Sequence, residues 1–316
     1  MKIKKYIIIL NVFVVCLAGA FILYNDKSKA NNDKSKPNTN ISKPNKEKIE
    51  LLEFEIGDRR LKEKKEAHNN LEGVKVPDMI PMIYNDRSIP VLMYHHIAPN
   101  TNNDGTCVSP EKFREDMRFL KDNGYYTLNL NELYNFYYTN TPLPEKAVAI
   151  TFDDGYEDNY SVAYPILKEY GLKATIFMIT GKIDQPSYLT TKQLILLDKD
   201  GIDIQAHTIT HPQFLMKESY ERQLQEMKGP KETLETLLSK KISYLAYPYG
   251  VVNVNIDSNT VKATKEAGYK MAFTTGGRWA GKEDGLLTLD RVFISPTHSF
   301  NVFKERVTNP QYSQTR

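Results

Sequence analysis

From Ile89 onward, short apolar runs rich in β-branched residues alternate with segments of helical period, and this alternation is the feature that most constrains the fold. Strands in strict alternation with helices build parallel sheets, and seven such strands favour closure into a barrel. We therefore predict an α/β fold, a distorted and incomplete (β/α)7-type barrel, in a single domain over 88–300. The predicted strands are Ile89–Ile97, Ala147–Asp154, Lys173–Gly181, Asp203–Thr208, Ile242–Tyr249, Tyr269–Thr275 and Leu287–Ile294. The predicted helices are Pro110–Asn123, Glu157–Tyr170, Thr191–Lys199, Glu218–Leu238 and Ser258–Ala267.

The first 24 residues have the pattern of an export signal. Lysines in 1–5 precede an uncharged run over 6–24 that is rich in Ile, Val, Leu and Phe. A basic start before an apolar stretch is typical of secretory signals, and Ala18-Gly19-Ala20 offers a cleavage site. The run also nearly reaches the roughly 20 residues of a membrane span. We therefore expect either a signal peptide or a membrane anchor over 1–24.

Three further segments flank the predicted domain. Residues 25–48 are dominated by Lys, Asn, Ser and Pro, which predicts a disordered basic linker. Residues 49–87 are expected to be a charged lead-in with a short amphipathic helix that Gly57 interrupts. Residues 301–316 are expected to be a tail.

The net charge of +3 is unevenly distributed along the chain. Residues 1–5 carry +3 and residues 25–48 carry +4, so subtracting both from the total leaves −4 for the remainder. A slightly acidic folded part does not support nucleic-acid binding. The basic linker is either a solvated spacer or a contact to anionic envelope polymers or lipid head groups. With Cys16 and Cys107 as the two cysteines, the domain has no disulfide of its own and must depend on its core.

Reactive side chains follow four of the predicted strands, where the chemistry of parallel barrels is found. Asp153 and Asp154 can both face a cleft only if the chain turns there, and Gly155 supplies a turn. One carboxylate could then bind a metal while the other accepts a proton, or one could simply cap the next helix. The four strand ends are Met93-Tyr94-His95-His96, Thr151–Gly155, His207–Pro212 and Tyr247–Gly250.

His207 and His211 are four residues apart and, with Asp154 from another strand, make a facial set of ligands with open positions. Such a set suits Zn²⁺, Co²⁺, Ni²⁺ or Fe²⁺. The spacing alone leaves a structural or surface pair of histidines as the alternative. We predict one divalent metal ion, with Zn²⁺ as the first choice.

Thr151–Gly155, His207–Pro212 and Tyr247–Gly250 resemble the first three motifs of the polysaccharide deacetylases with a NodB-homology domain, carbohydrate esterase family 4. The resemblance covers about residues 88–300. It implies a metal-dependent hydrolase that removes acetyl groups from N-acetylated sugars. The implied roles are base for Asp153, metal ligand for Asp154, His207 and His211, and oxyanion donor for the backbone N–H of Tyr249.

The family also uses a histidine as general acid, and this chain offers two candidates. His298 lies near the C-terminal end of the domain, where the family usually has this residue. The strand with Tyr94 and His95 resembles instead the subgroup that acts on poly-β-1,6-N-acetylglucosamine, in which the first His after the Tyr is the acid. We therefore expect His95 to be the acid. His96 should face the opposite side of the strand, and a structural or surface role is expected for His96 and His298.

The third motif departs from many family members because Leu245–Gly250 contains no arginine. Arg291 in the last strand is expected to orient Asp153 instead, while Asp290 could alternatively tune the acid. Trp279 is the single tryptophan and could either stack on a sugar or pack within the core or a loop.

These expectations combine into N-deacetylation of poly-β-1,6-N-acetylglucosamine exopolysaccharide at the cell surface, which would release acetate and support biofilm adhesion. The expected partner is the N-acetylglucosamine polymer, bound by a monomer that associates with the membrane or cell wall through its N terminus. We expect a secreted or membrane-anchored protein on the extracellular face of a Gram-positive envelope. The alternatives are a peptidoglycan or chitooligosaccharide deacetylase, which would share the catalytic residues, and a glycan-binding envelope protein with a degenerate site.

Overall fold

The computed structural model describes residues 80–99 and 104–312. The segment 1–24, the linker 25–48 and the helix expected in 49–87 lie outside the described residues, so these remain predictions. Along the described part of the chain, no helix is both long and apolar enough to cross a membrane.

From residue 91 onward, most of the strands in the main sheet are followed by a helix. The strands are β1 Met82–Ile83, β2 Val91–Tyr94, β3 His96–Ile97, β4 Cys107–Val108, β5 Tyr126–Leu128, β6 Leu143–Pro144, β7 Ala147–Phe152, β8 Thr175–Met178, β9 Asp203–Ala206, β10 Tyr244–Ala246, β11 Met271–Phe273 and β12 Val292–Phe293. The α-helices are α1 Pro110–Asp122, α2 Leu130–Thr139, α3 Tyr164–Tyr170, α4 Thr191–Lys199, α5 Tyr220–Leu238, α6 Ser258–Glu266 and α7 Phe300–Thr308. A π-helical turn at Asn159–Ala163 leads directly into α3.

Eight parallel strands form one curled sheet in the order β11-β10-β9-β8-β7-β2-β12, with β5 also paired to β7. Its two edges approach each other through a parallel bridge between Phe273 of β11 and Leu289, three residues before β12. The sheet is therefore close to a closed barrel. This confirms the predicted distorted, incomplete (β/α)7-type barrel in a single domain.

Side chains alternate between the inside of this barrel and the helices around it, as successive residues of a strand must. On β7, Ala147 and Ala149 belong to one buried cluster, while Val148, Ile150 and Phe152 belong to a second cluster that also contains core residues of α1 and α3. We call these the inner and outer clusters. The inner row of β7 continues past the end of the strand and carries functional groups there.

The elements not predicted from the sequence are the strands β1, β4, β5 and β6 and the helices α2 and α7. Helix α2 begins with a capping box in which Asn129 and Glu132 bond each other's backbone N–H groups. Its Leu133 and Phe136 are fully buried in the inner cluster together with Ile89, which lies just before β2. Helix α2 thus covers the end of the barrel where the strands begin, opposite the end that carries the reactive side chains.

The segment 301–316 differs from the expected tail because it begins inside α7. Phe303 and Val307 of this helix are buried in the outer cluster, and α7 packs against α1. Tyr312 is also buried. The folded domain therefore extends to at least residue 312.

Asp116 on α1 is a fully buried carboxylate directly behind β2. Its Oδ2 accepts a hydrogen bond from the Tyr94 hydroxyl at 3.0 Å and lies 3.5 Å from Nζ of Lys112. Burial raises the pKa of Asp116 to about 7, against the opposing effects of Lys112 and Tyr94. A carboxyl with such a pKa titrates within the range in which most proteins are handled.

The stability of the fold should therefore depend on Asp116 in a defined pH window. An unfolded Asp titrates near about 3.9, so between that pH and about 7 the folded state binds more protons and the free energy of unfolding falls as pH rises. Asp116→Asn removes this titration. We expect the drop in melting temperature from pH 5 to pH 8, measured by thermal denaturation, to be smaller in the variant. Asp122→Asn, on the exposed face of the same helix, should keep the wild-type drop, and an equal drop in Asp116→Asn would refute the assignment.

Candidate active site

The carboxyl ends of the strands open into a cleft of about 1300 Å³. This exceeds the roughly 300–1,000 Å³ of typical small-molecule pockets, so the cleft has room for an extended ligand. Three predicted residues reach it by one rule, because His95, Asp153 and His207 continue the inner rows of β2, β7 and β9. Arg291 precedes β12 in the same parity, and it is fully buried in contact with Asp153.

Asp154, His207 and His211 form a cluster at the floor of the cleft. One ligand atom from each lies within 4.8 Å of the others, and Oδ1 of Asp154 is 3.3 Å from Nε2 of both histidines. That Oδ1 atom is buried and has no hydrogen-bond partner within the described residues. An orphaned carboxylate oxygen facing two imidazole nitrogens is the arrangement that a bound cation would satisfy.

The nitrogen chemistry of His207 also fits a metal ligand. Its Nδ1 lies 2.8 Å from the carbonyl oxygen of Ala246, so Nδ1–H donates there and Nε2 is left with its lone pair toward Asp154. Burial lowers the pKa of His211 to about 4, with His207 adding to the effect, so His211 is neutral near pH 7. One carboxylate and two imidazoles with open positions fit a divalent transition-metal ion.

The backbone is strained at the residues that build this cluster. Asp154, His211 and Tyr249 have φ values of 72°, 59° and 57°, in the left-handed region that non-glycine residues rarely adopt. Gly155 follows with φ of 78°, and a Cβ there would lie 2.1 Å from Sδ of Met178. The turn after β7 therefore requires glycine, and it rotates Asp154 toward the histidines while Asp153 stays on the inner row.

Asp153 is held by Arg291 in a buried, bidentate ion pair. The two oxygens of Asp153 lie 2.6 and 2.7 Å from Nη1 and Nη2 of Arg291, whose Nε donates to the carbonyl of Thr274 at 3.1 Å. Burial alone would raise the pKa of Asp153, but Arg291 and His207 outweigh burial and hold the pKa below its ordinary value. Asp153 is therefore ionised and fixed in one orientation, pointing into the cleft.

His95 lies in the same cleft. Its ring packs edge-on against Phe293 with centroids 6.1 Å apart, and its Nδ1 is buried without a hydrogen-bond partner among the described residues. Burial lowers the pKa of His95, although Asp153 and Asp154 oppose the shift. His96 instead places Nδ1 2.6 Å from Oδ2 of Asp158.

The backbone N–H of Tyr249 is available at the rim of the cleft. Within the described residues this N–H donates no hydrogen bond, and the Tyr249 ring lies 5.1 Å from the ring of His211. The position is therefore compatible with a donor that faces a ligand near the cluster.

Three other residues singled out from the sequence have defined contacts. His298 lines the cleft, where its Nδ1 accepts the N–H of Ser295 at 3.1 Å. Asp290 contacts Thr274 and Arg278 rather than His95. Trp279 packs against the outer cluster and donates Nε1–H to the carbonyl of Arg306 at 2.7 Å, which supports packing rather than sugar stacking.

The cleft also contains residues that sequence reasoning missed. The rings of Tyr156 and Tyr188 stack with centroids 5.1 Å apart along one wall, and Arg306 reaches the cleft from α7. No motif or spacing marks these residues, because they are brought to the cleft by loops and by a helix that follows the last strand.

A curled parallel barrel whose strand ends carry a carboxylate–bis-histidine cluster beside an arginine-held aspartate defines an α/β-barrel hydrolase. Comparison with known proteins gives the family. The family model for polysaccharide deacetylase matches residues 140–272. The chain is 38% identical over 215 residues to YxkH of Bacillus subtilis (strain 168), a candidate polysaccharide deacetylase, covering 68% of this chain and 74% of that protein.

A solved structure and a second group of relatives support the same family. The deacetylase PplD of Streptococcus pyogenes, solved in complex with acetate, is 35% identical, with a TM-score of 0.66 over 70% of this chain and 99% of that one. Poly-beta-1,6-N-acetyl-D-glucosamine N-deacetylases of Staphylococcus aureus are 28% identical over 201 residues, 60% of this chain and 68% of theirs. The chain belongs to the polysaccharide deacetylases with a NodB-homology domain, carbohydrate esterase family 4, and is an amide-bond hydrolase.

Proposed function

We propose that this chain is a metal-dependent N-deacetylase of poly-β-1,6-N-acetylglucosamine that releases acetate at the outer face of the cell envelope and supports biofilm adhesion. The observation that carries the proposal is the orphaned Oδ1 of Asp154, 3.3 Å from Nε2 of both His207 and His211, beside an Arg291-held Asp153. The staphylococcal relatives, named for this activity, and the histidine directly after Tyr94 support the choice of polymer.

The cluster of Asp154, His207 and His211 would hold one divalent ion, with Zn²⁺ the first choice and Co²⁺, Ni²⁺ or Fe²⁺ as alternatives. Such an ion polarises a scissile carbonyl and lowers the pKa of water toward about 7. The chain's own groups supply the proton transfers. Asp153, ionised and fixed by Arg291, takes a proton from the attacking water.

The tetrahedral intermediate needs a donor for its oxyanion, and its breakdown needs a proton on the departing amine. His95, a titratable group that lines the cleft with Asp153, would give the proton to the sugar nitrogen. The unbonded N–H of Tyr249 would donate to the oxyanion. Each proton transfer typically contributes about 10²–10⁴-fold, and oxyanion stabilisation is usually the larger share.

The remaining walls of the cleft suit a sugar polymer. Tyr188 lines the cleft beside Tyr156, and pyranose rings pack on aromatic faces through their C–H groups. The ring of Tyr156 is itself stacked against His96, so Tyr188 would be the one to contact a sugar. The N-terminal 1–24 segment would export the protein, and either it or the basic linker 25–48 would associate a monomeric enzyme with the membrane or cell wall.

Acetate release from purified polymers tests the proposal. The protein should release acetate from poly-β-1,6-N-acetylglucosamine faster than from peptidoglycan or chitooligosaccharides, and a chelator should abolish the release. Faster release from peptidoglycan would replace the proposed substrate while keeping the reaction. Glycan binding that persists with chelator, without acetate from any polymer, would favour a binding protein.

The role of His95 can be separated from that of Asp153 by the leaving group. His95→Gln should lower kcat on an N-acetylated sugar by about 10²–10⁴-fold, because the departing amine is then unprotonated. The phenolate of an aryl acetate leaves without protonation, so kcat for aryl acetate hydrolysis should change by less than about tenfold. Asp122→Asn, on the exposed face of α1 and outside the cleft, is the control and should leave kcat on both substrates near the wild-type value. Equal losses on both substrates would argue against His95 as the acid.

Arg291 is a positioning residue for Asp153. Arg291→Lys keeps the charge but cannot make the bidentate pair. The carboxylate of Asp153 is then no longer fixed in the orientation that accepts the proton, and kcat should fall about 10²-fold. Metal content and KM should be nearly unchanged, which a merely destabilised protein would not show. Kinetics and metal analysis of the folded variant make the measurement, and a rise in KM with unchanged kcat would contradict this role.

A further inference from the structure

Arg306 of α7 is a buried cation at the end of the cleft. It is 7% exposed, yet it lines the cleft together with Phe293 and His298. Its Nη1 donates to the carbonyl of Phe293 at 3.1 Å, its guanidinium lies 4.9 Å from the centre of the Tyr312 ring, and its Nε is buried without a hydrogen-bond partner. Among the described residues no carboxylate forms an ion pair with it.

A buried guanidinium without an anionic partner is costly, because a neutral carbonyl and an aromatic face replace only part of its lost hydration. The other buried arginine that lies near the cleft, Arg291, has its carboxylate partner in Asp153. Arg306 differs in having no such partner within the described residues and in reaching the cleft. A planar guanidinium is matched in geometry and charge by a carboxylate or a phosphate.

His298 beside Arg306 adds a hydrogen-bond donor, and no described carboxylate forms an ion pair with either residue. The ring of Phe293 lies 6.3 Å from that of His298 and 6.1 Å from that of His95, so Phe293 separates this end of the cleft from the catalytic end. His298 accepts the N–H of Ser295 at Nδ1, so its neutral ring carries the proton on Nε2. Burial lowers the pKa of His298 to about 4, with Arg306 contributing, and keeps the ring neutral near pH 7.

We propose that Arg306, with His298 beside it, forms a subsite for an acidic substituent, a carboxylate or a phosphate, on a sugar next to the N-acetylated unit that is hydrolysed. This inference rests on the proposed deacetylase reaction. Because an unmodified N-acetylglucosamine homopolymer carries no acid, it makes acid-substituted glycans the preferred substrates of that reaction. The acidic group would pair with the guanidinium of Arg306, which has no carboxylate partner among the described residues. It would also fix the register of the polymer so that the target acetamide lies at His95 and Asp153.

Three matched oligosaccharide substrates test the subsite. One is neutral, one carries a carboxylate on the sugar next to the N-acetylated unit, and one carries a phosphate there. The wild type should show a kcat/KM for at least one acidic substrate about 10–100-fold above that for the neutral one, as expected for charge-assisted hydrogen bonds to a buried arginine. The more favoured acidic substrate identifies the source of the anion.

Arg306→Gln should abolish this preference, so that kcat/KM falls about 10–100-fold more on the favoured acidic substrate than on the neutral one. Lys304→Gln removes one positive charge from the same helix, where Lys304 lies over the Phe300 ring rather than in the cleft, and should keep the wild-type preference. Arg306→Lys retains the charge without the planar fork, so it should lose part of the preference even if Arg306→Gln folds poorly.

Two results would overturn the subsite. One is a wild type without preference for either acidic substrate, and the other is an Arg306 variant that loses neutral and acidic substrates equally. Titration calorimetry of the same oligosaccharides gives the same comparison without turnover. Selective binding of an acidic oligosaccharide by a protein that releases no acetate would therefore keep the subsite while removing the proposed function.

Discussion

Asp153→Asn should lower kcat by about 10²–10⁴-fold while the protein keeps its metal. The amide cannot accept the proton that the attacking water must lose, but the ligand set of Asp154, His207 and His211 stays complete. Steady-state acetate release and metal analysis on the same preparation give the two numbers. A large loss of kcat with wild-type metal content is the expected combination.

The control for this variant is a nearby carboxylate outside the cleft. Asp158 binds His96 and the N–H of Ile97, so Asp158→Asn should keep kcat within about fivefold of wild type. Retained activity in a metal-loaded Asp153→Asn protein would rule out Asp153 as the base. A loss of metal in the same variant would instead make Asp153 a ligand.

Asp154→Asn should lose metal and activity together. It removes the anionic ligand and leaves two imidazoles, and we expect acetate release to fall below about one thousandth of the wild-type rate because the largest electrostatic contribution is lost with the ion. Metal affinity is measured by titration calorimetry on protein stripped with chelator. The Asp153→Asn protein is the matched control, since the two substitutions differ by one position and should give opposite metal contents.

The outcome that would contradict the ligand assignment is a full equivalent of tightly bound metal in Asp154→Asn. Activity that returns when excess metal is added would be compatible with weakened binding, because two ligands remain in His207 and His211. Activity equal to that of the wild type at a low metal concentration would not be compatible with weakened binding. Asp154 would then be one of the strained residues of the turn, held by Gly155, without a ligand role.

The barrel could be predicted from the sequence because its signals are local. Buried parallel strands such as Ala147–Phe152 are continuous apolar runs, and capped amphipathic segments such as α4 were predicted to the residue. Strand β5 and helix α2 were missed for physical reasons. β5 has three residues, and α2 is rich in Asn and Tyr, which are modest helix formers, so its burial against the inner cluster and its capping box stabilise it.

The parts of the site that follow strand parity could also be predicted. The placement of His95 in the cleft and of His96 away from it needs no more than the two-residue repeat of a strand. The contact between Arg291 and Asp153, 138 positions apart, was expected from the family resemblance. Tyr188 and Arg306 could not be found, because their positions depend on how a loop and α7 pack around the barrel.

Metal reconstitution of the chelated protein tests the central claim most directly. Acetate release from an N-acetylglucosamine oligomer is followed while one divalent ion, Zn²⁺ first, is added to protein shown by elemental analysis to be metal-free. We predict no release at the start and a linear rise that ends at one equivalent per chain, as one site built by Asp154, His207 and His211 requires. Wild-type release from the metal-free protein would contradict the account.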